Sequence, residues 1–155
     1  MECLAAIDHG TTSSRAIIYA LPSMTPLASH QLEHTQHHPQ PGWCEHDADE
    51  IVRNVRQCLE HAHGKAVAAA AAQGATSVTV KALGLTNQRE TTLVWDKVTG
   101  APLHRAVVWL DTRTAALCQQ LEAEFGSKVR AQGGIFVPGA VASGKSRVRV
   151  GVRVR

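Results

Sequence analysis

Three segments near the N-terminus have the length and spacing of successive strands. They are Cys3–Ile7, Arg15–Ala20 and Leu27–His34, joined by short turns, and the second turn contains Pro22 and Pro26. Strands joined by turns this short pair side by side in opposite directions. The pattern therefore predicts a three-stranded antiparallel meander.

A helix is predicted after the proline- and glycine-rich segment that follows the meander. Asp47 stands in the cap position, and Asp49 and Glu50 follow in the first turn, where the helix dipole favours negative charge. Apolar residues then recur at helical spacing and are expected to face the sheet: Ile51, Val55, Cys58, Leu59 and Ala62. Gly64 is expected to interrupt this helix, and the alanine-rich residues 66–72 to prolong it with a loosely packed end.

The next part of the chain predicts one buried strand and a hairpin. Val78–Leu85 is a continuous run of β-branched and apolar residues, typical of a central strand, and it ends at Thr86. Thr91–Trp95 and Ala106–Trp109 flank Lys97–Gly100 as the arms and the turn of a hairpin. The chain thus returns to strands after its first helix.

A second amphipathic helix completes the pattern. Its apolar positions are Ala115, Leu117, Cys118, Leu121 and Phe125, with Asp111 or Thr112 as the cap. A doubly wound nucleotide-binding fold would alternate strand and helix from the start. The order found here instead predicts an α/β fold with a mixed sheet, in which an antiparallel three-strand meander carries flanking helices.

A glycine turn rich in hydroxyl groups follows the first predicted strand. Gly10 lacks a Cβ, so it can adopt a positive φ or let an anion approach the backbone, and the hydroxyls of Thr11, Thr12 and Ser13 extend the polar surface. Asp8 repels phosphate, but its carboxylate is suited to hold a hydrated Mg²⁺ next to the phosphates. The turn therefore predicts a metal–nucleotide site. A plain hairpin turn, whose hydroxyls satisfy local backbone donors, is the alternative.

Arg89 and Glu90 stand side by side just after the predicted central strand. A guanidinium donates hydrogen bonds and a carboxylate accepts them, so the pair can recognise adjacent hydroxyls of a polyol. A ligand that lacks one hydroxyl would leave a partner unpaired. A surface ion pair is the alternative interpretation.

Composition and charge exclude some classes of function. The 155 residues are 44% hydrophobic and 19% charged, as in an ordinary globular domain with its own core. The formal charge of +3 comes from the end of the chain, because residues 145–155 contain five Lys or Arg and no acid, while eleven basic and thirteen acidic residues precede them. The body of the chain therefore lacks the basic surface of a nucleic-acid-binding protein.

The cysteines and histidines do not predict a metal or disulfide framework. The four cysteines are widely spread and form no Cys-x-x-Cys pair, which favours a reducing, cytoplasmic compartment. The histidines between His30 and His46 lack acidic or cysteine companions at a closed spacing and are interpreted as solvated loop residues. We expect no signal peptide, because the first predicted strand begins within a few residues of Met1, and no apolar stretch approaches membrane-spanning length.

Four segments together resemble the glycerol kinases of the carbohydrate-kinase family. They are the turn after the first strand, Pro41–Asp47, Asn87–Thr92 and Val108–Thr114, in matching order and spacing within residues 4–125. The resemblance implies an actin-like, ribonuclease-H-like ATPase domain. It also implies transfer of the γ-phosphoryl group of ATP to a terminal hydroxyl of glycerol, with ATP and Mg²⁺ as cofactors. Oligomerisation of the full-length enzyme stays open.

The resemblance also implies roles for individual residues. Asp8 matches an aspartate near Mg²⁺, and the phosphate-contacting positions match Gly10, Thr11, Thr12, Ser13 and Arg15. His9 replaces the usual glutamine, a change that the turn is expected to tolerate because Gly10 and its neighbours hold the phosphates.

For the substrate, the resemblance implies that Arg89 and Glu90 bind the glycerol hydroxyls. It implies that the aromatic ring of Trp109 packs on the glycerol carbons. A place in the core is the alternative for Trp109. Trp43 and Trp95 are interpreted as packing residues.

The resemblance ends near Gln132. We expect a partial N-terminal kinase domain over residues 1–131 and a divergent, poorly ordered basic tail over residues 132–155. The family's aspartate base and adenine-binding half have no counterpart, so the chain alone is expected to be inactive. A noncatalytic nucleotide- or polyol-binding module is the alternative function.

The basic tail allows several interpretations. It can be an edge strand with a charged face, a basic arm for anionic partners, or the product of a misread gene. Gly139–Ser146 has the spelling of a P-loop, but the alternating Val and Arg residues after it do not predict the helix that such a loop opens. The match is therefore attributed to chance.

Overall fold

A computed structural model of the chain describes residues 1–131, 135–137 and 140–142. Its elements, in chain order, are β1 (Glu2–His9), β2 (Ser13–Ala20), β3 (Thr25–Glu33), β4 (Glu45–His46), α1 (Ala48–Ala72), β5 (Thr79–Asn87), β6 (Ala106–Val107), α2 (Ala115–Ala131), β7 (Ile135–Val137) and β8 (Ala140–Ala142). Apart from β7 and β8, the predicted basic tail and its P-loop-like Gly139–Ser146 sequence lie outside the described residues. The chain divides into two compact units, residues 1–35 with 49–88 and residues 36–48 with 89–155.

The first unit contains a mixed four-stranded sheet in the order β3-β2-β1-β5. The pairs β1–β2 and β2–β3 are antiparallel, which confirms the predicted meander, and β5 pairs with β1 in parallel. Because parallel strands need a crossover, the chain passes through α1 between β1 and β5. The predicted mixed sheet is confirmed.

The core of this unit lies between α1 and the β1–β2 part of the sheet. Small and medium side chains fill it: Cys3, Ala5, Ala16 and Ile18 from the strands, and Cys58, Ala62 and Ala66 from the helix. Ala62 and Ala66 are fully buried and Ala70 nearly so, at the spacing of one helical face. The predicted helix is confirmed, but its expected interruption at Gly64 and its loosely packed end are both wrong, because the alanines after Gly64 pack against the sheet.

β5 is exposed to solvent, although the sequence predicted a buried strand. Its position in the sequence is as expected, but all nine of its residues are exposed and the described sheet ends with this strand. Leu83 and Leu85 are each 48% exposed. A continuous apolar run signals burial of both faces of a strand, and α1 does not supply that cover over β5. The buried, central position predicted for this strand is therefore wrong.

The second unit is built on short pairings. β4 and β6 pair antiparallel, and the backbones of Thr92 and Val107 exchange two hydrogen bonds of 2.9 and 2.8 Å, as in the predicted hairpin. Asp96 closes the hairpin turn, because its carboxylate accepts from the backbone amides of Val98 and Thr99. α2 is also confirmed, but Thr114 directly precedes it, so neither predicted residue is its cap.

The cysteines and the two helices also bear on the expectations from the sequence. All four cysteines are buried thiols that form no disulfide. Among the described residues, neither helix combines the length and the apolar character that a membrane crossing requires.

We expect Gly64→Ala to stabilise the chain by about 0.5–1 kcal/mol, because alanine loses less backbone entropy on entering a helix. A Cβ at this position meets no atom within 4 Å, so the substitution costs no packing. The measurement is the urea dependence of the helical circular dichroism signal.

Gly74→Ala is the matched control for that prediction. It also adds its Cβ to open space, but Gly74 has a φ of +80° and follows the end of α1, where Ala75 N bonds to Ala70 O at 3.0 Å. A side chain in this left-handed position is expected to cost about 1 kcal/mol. Equal effects of the two substitutions would contradict this account of α1.

Candidate functional site

The predicted phosphate turn is the three-residue loop Gly10–Thr12 between β1 and β2. Gly10 N donates to Ser13 O and His34 N donates to Thr12 O, each at 2.9 Å, so both ends of the loop are fixed. Gly10 does not adopt a positive φ, and a Cβ there would lie 3.5 Å from Ser13 O, an ordinary contact. Of the two reasons considered for glycine here, the positive φ is therefore excluded. The remaining reason for glycine is access of a ligand to the backbone.

Gln31 organises the polar side chains beside this turn. It lies on β3 in register with Arg15, and its Oε1 accepts from Arg15 Nε at 2.9 Å and also from Nη2. Its Nε2 donates to Ser13 Oγ at 2.9 Å. One glutamine thus holds two of the predicted phosphate-binding side chains. The motif does not include Gln31, and only the strand register could have indicated it.

Asp8 lies at the end of β1, exposed, in register with Arg15 on β2 and Thr86 on β5. Its carboxylate makes no hydrogen bond or ion pair with any residue that the structure describes. Both oxygens can therefore face a hydrated Mg²⁺, an ion that prefers oxygen ligands and keeps several waters. Within the described ranges, no three His, Cys, Asp or Glu side chains gather in a group that could hold a metal ion. One carboxylate acting through water fits this arrangement better than a closed protein cage.

The end of β5 lies beside the end of β1. Asp8 pairs with Thr86 and His9 with Asn87, and the Gln88 side-chain nitrogen is 3.2 Å from His9 Nε2. Because the strands are parallel, β1 and β5 finish at the same edge of the sheet. The segment that continues into the second predicted motif therefore leaves the sheet where the phosphate turn begins.

In the second unit, Arg89 and Glu90 are exposed. Their side chains form no ion pair with each other and no hydrogen bond to another described residue, so the surface ion pair considered from the sequence is wrong. Glu90 has a φ of 55°, which is uncommon for a residue with a side chain and is typical of sites that hold a strained backbone. Both charged groups are available to a ligand.

Trp109 is 44% exposed, so the alternative that placed it in the core is wrong. Its backbone N donates to Thr91 Oγ1 at 3.3 Å, and Val108 immediately before it is fully buried. The indole is thus presented to solvent from a fixed backbone. Trp95 is 40% exposed and is no core residue either, contrary to its predicted packing role.

A buried ion cluster joins the two remaining motifs of the second unit. Arg113 binds Asp111 through Nε and Nη2 at 2.9 and 2.8 Å, and its Nη2 reaches Glu45 Oε1 at 2.7 Å. Cys44 N donates to Asp111 Oδ2 at 2.7 Å, and the guanidinium carbon lies 3.7 Å from the centre of the Trp43 ring. Trp43 is thus a packing residue, as predicted. Residues 41–47 and 108–114 therefore serve to hold each other together.

The charges in this cluster stabilise one another. Burial would raise the pKa of Asp111, but hydrogen bonds from Arg113 and from the Cys44 amide lower it below its ordinary value. The Asp111 hydrogen bond raises the pKa of Arg113, against the opposing effect of burial. Gly42 belongs to the same contact, since its carbonyl accepts from Thr112 N at 2.7 Å. Its φ is +79°, and a Cβ there would come within 2.5 Å of Thr112 Oγ1.

His34, in the first unit, is buried directly after β3, and His46 in the second unit is fully buried, so the interpretation of these two histidines as solvated loop residues is wrong. Asn54 Nδ2 donates to His34 Nδ1 at 3.2 Å. Burial lowers the pKa of His34, and this effect outweighs the Glu50 carboxylate and the Ser13 carbonyl, which raise it. The imidazole is therefore kept neutral beside the phosphate turn.

Comparison with known proteins gives concordant results. The model of the N-terminal domain of the FGGY family of carbohydrate kinases matches residues 3–141. The chain is 50% identical over 122 residues to a glycerol kinase of Arabidopsis thaliana, covering 78% of this chain and 22% of the relative. It is 47% identical over 145 residues to glycerol kinase 2 of Streptomyces coelicolor, covering 93% and 27%.

A solved structure shows the same fold. The chain matches Plasmodium falciparum glycerol kinase with ADP at a TM-score of 0.78 and 32% identity, over 92% of this chain and 27% of that one. The chain spans about a quarter of the length of the relatives that it matches.

We expect Arg113→Ala to destabilise the second unit by about 3–5 kcal/mol, because it leaves two buried carboxylates without their counter-ion. Asp111 and Glu45 are 0% and 3% exposed. All three tryptophans belong to this unit, so their fluorescence in a urea titration reports its unfolding.

His104→Ala is the control, because it removes an exposed partner, 3.9 Å away, of the same Glu45 carboxylate. Its expected cost is below about 1 kcal/mol. A similar loss in both variants would show that burial of the ion cluster does not matter.

The free energy of unfolding of the first unit is expected to fall as the pH drops below about 6.5, the ordinary pKa of histidine. The unfolded chain takes up a proton on His34 in this range, whereas the folded chain, with its lowered pKa, does not. This contribution to stability is complete above pH 6.5 and is lost below it. Urea titrations between pH 5 and 8, followed by the helical signal, should show a shallower slope for His34→Gln than for the exposed-site control His63→Gln.

Proposed function

Because the chain belongs to the FGGY family of carbohydrate kinases and has its actin-like ATPase fold, we propose that it supplies nucleotide- and glycerol-binding residues to a glycerol kinase. Such an enzyme transfers the γ-phosphoryl group of ATP to a terminal hydroxyl of glycerol and yields glycerol 3-phosphate and ADP. The pairing of β1 with β5 carries this conclusion. It sets Asp8 beside Thr86, at the sheet edge from which the chain continues to Arg89.

In this proposal the phosphates of ATP bind the backbone amides after Gly10 and the hydroxyls of Thr11, Thr12 and Ser13. Arg15, held by Gln31, adds positive charge beside them. Mg²⁺ would be held by Asp8 through water and would neutralise phosphate charge. The protein's part in phosphoryl transfer is positioning and electrostatic stabilisation, and a turn with both ends fixed by backbone hydrogen bonds suits it.

Glycerol is recognised in this proposal by Arg89, Glu90 and Trp109. The guanidinium donates to the hydroxyls and the carboxylate accepts from them, and neither side chain is engaged by another described residue. The exposed indole covers the C–H side of the molecule. A substrate analogue without one hydroxyl loses affinity because it leaves a charged partner unsatisfied.

None of these residues is assigned as the general base. The family resemblance implies an aspartate of a second domain in that role, and no segment of these 155 residues matches it. The chain alone is therefore expected to bind its ligands without turning them over. We also assign it to the cytoplasm, where the four buried thiols stay reduced.

Isothermal calorimetry of the 155-residue chain tests the nucleotide half of the proposal. We expect Mg-ADP to bind, and Gly10→Ala to weaken binding by about tenfold or more, because the added Cβ blocks approach to the backbone without disturbing the fold. Gly84→Ala, which adds a Cβ to open space on β5, is the matched control and should bind as the wild type does. Unchanged affinity in a folded Gly10→Ala chain would remove the turn from the nucleotide site.

Glycerol titrations test the other half. Glu90→Gln keeps the size of the side chain but removes its charge, and we expect weaker glycerol binding, while Glu60→Gln on the exposed face of α1 should have no effect. A coupled assay for ADP should detect no turnover. Glycerol-dependent ADP formation by this chain would contradict the assignment of the base to another part of the enzyme.

A further inference from the structure

A cluster of buried polar groups lies beneath the phosphate turn. His9 Nδ1 is 3.0 Å from Ser14 Oγ and 3.2 Å from His34 Nε2, and the Ser14 and His34 atoms are 3.3 Å apart. The three residues are 9%, 0% and 6% exposed, and the two rings meet edge to face with centroids 4.9 Å apart. Burying three polar side chains is costly unless they satisfy one another, so their position in the fold requires a reason.

The cluster encloses the base of the turn. His9 is the last residue of β1, immediately before Gly10, and it pairs in register with Ser14 on β2, immediately after Ser13. His34 follows β3, and its backbone N donates to Thr12 O in the turn itself. Towards the other end of the same strands, the interior is filled by the apolar core described above. The polar groups are thus concentrated where the turn has to be held.

A hydrogen bond at one end of the cluster fixes the position of one ring proton. Asn54 Nδ2 donates to Glu33 O at 2.9 Å, so its amide group is a donor and His34 Nδ1 accepts from it. The proton of His34 therefore lies on Nε2. On the other side, the Gln88 side-chain amide lies 3.2 Å from His9 Nε2 and holds the outer edge of that ring.

The His34 Nε2–H group therefore points into the cluster, and the Ser14 hydroxyl lies within hydrogen-bond distance of both rings and bridges them. We propose that His9 is a positioning residue for the phosphate turn: together with His34 and the buried Ser14 hydroxyl it forms a hydrogen-bonded cluster that fixes the backbone of Gly10–Ser13 for its ligand. This inference rests on the proposed nucleotide role of the turn. It does not make His9 a catalytic residue, since the ring lies below the turn.

Two measurements on the full 155-residue chain test the arrangement without a ligand. Long-range ¹⁵N–¹H correlation spectra are expected to show the Nε2–H tautomer for His34. In Ser14→Ala both rings lose their hydroxyl partner, and the ring ¹⁵N and ¹H shifts of His9 and His34 are expected to change. An Nδ1–H tautomer of His34 in the wild type, or unchanged ring shifts of His9 in Ser14→Ala, would overturn the proposed cluster.

Substitution of His9 links the cluster to the turn. In His9→Leu we expect amide hydrogen exchange at Gly10–Ser13 to accelerate, and Mg-ADP affinity to fall, by about tenfold, because the turn loses a buried hydrogen-bonded support. His9→Gln supplies an amide donor and acceptor and should recover most of both losses. His63→Leu, at an exposed position of α1, should change neither.

The nucleotide role of the turn and the positioning role of His9 can be contradicted separately. A wild-type chain that does not bind Mg-ADP contradicts the proposed nucleotide site, whereas the exchange rates still decide whether His9 holds the turn. If His9→Leu folds and leaves the exchange of the turn amides unchanged, the positioning role of His9 is wrong. If His9→Leu fails to fold, His9→Gln and Ser14→Ala carry the test, and unchanged histidine ring shifts and amide exchange in Ser14→Ala count against the proposal.

Discussion

The parallel pairing of β1 with β5 is the constraint on which the first candidate site depends. These strands are separated by about seventy residues, and their register brings Asp8 beside Thr86 and His9 beside Asn87. The two strand ends therefore meet at one edge, although nothing in either local sequence requires it. A one-residue slip in this register would reverse the faces of every β1 side chain and remove Asp8 from the edge it now occupies.

The register is maintained by a core of small side chains. Ala62 and Ala66 on α1 form one buried cluster with Ala5 and Ala16 on the strands. Close packing of this kind tolerates little change in volume and fixes the relative position of the elements. Ser14 and His9 continue the same face as polar groups towards the turn. The apolar core thus fixes the strands that carry Ser14 and His9, and these two polar residues flank the Gly10–Thr12 loop and Ser13.

Local patterns were sufficient to predict most of the elements but not their surroundings. The meander and both helices follow from periodicity, which is a property of neighbouring residues. The exposure of β5 could not be predicted, because a hydrophobic run reports what a strand can bury and not what covers it. Gly64 was expected to break α1, but a propensity cost of about 1 kcal/mol is smaller than the gain from burying the alanines on both sides of it.

The candidate sites were predictable where the chemistry lies in consecutive residues. Asp8, Gly10 and the Arg89–Glu90 pair are visible in the sequence as short motifs. Gln31 is not, because its contact with Arg15 depends on the pairing of two strands. The cluster of Arg113 with Glu45 joins residues 68 positions apart, and no periodicity relates them.

The two arginines of the second unit show how the structure separates a residue that serves the fold from one that can serve a ligand. Both belong to motifs that the sequence marks with equal strength. Arg113 is committed, since its donors engage Asp111 and Glu45 and its plane lies against Trp43. Arg89 has no such partner among the described residues. Two carboxylates hold the Arg113 guanidinium through Nε and Nη2 and fix its position in the fold, whereas an unengaged guanidinium keeps all of its donors available. Arg113 therefore holds residues 108–114 in place, whereas the donors of the exposed Arg89 are not committed to the fold among the described residues.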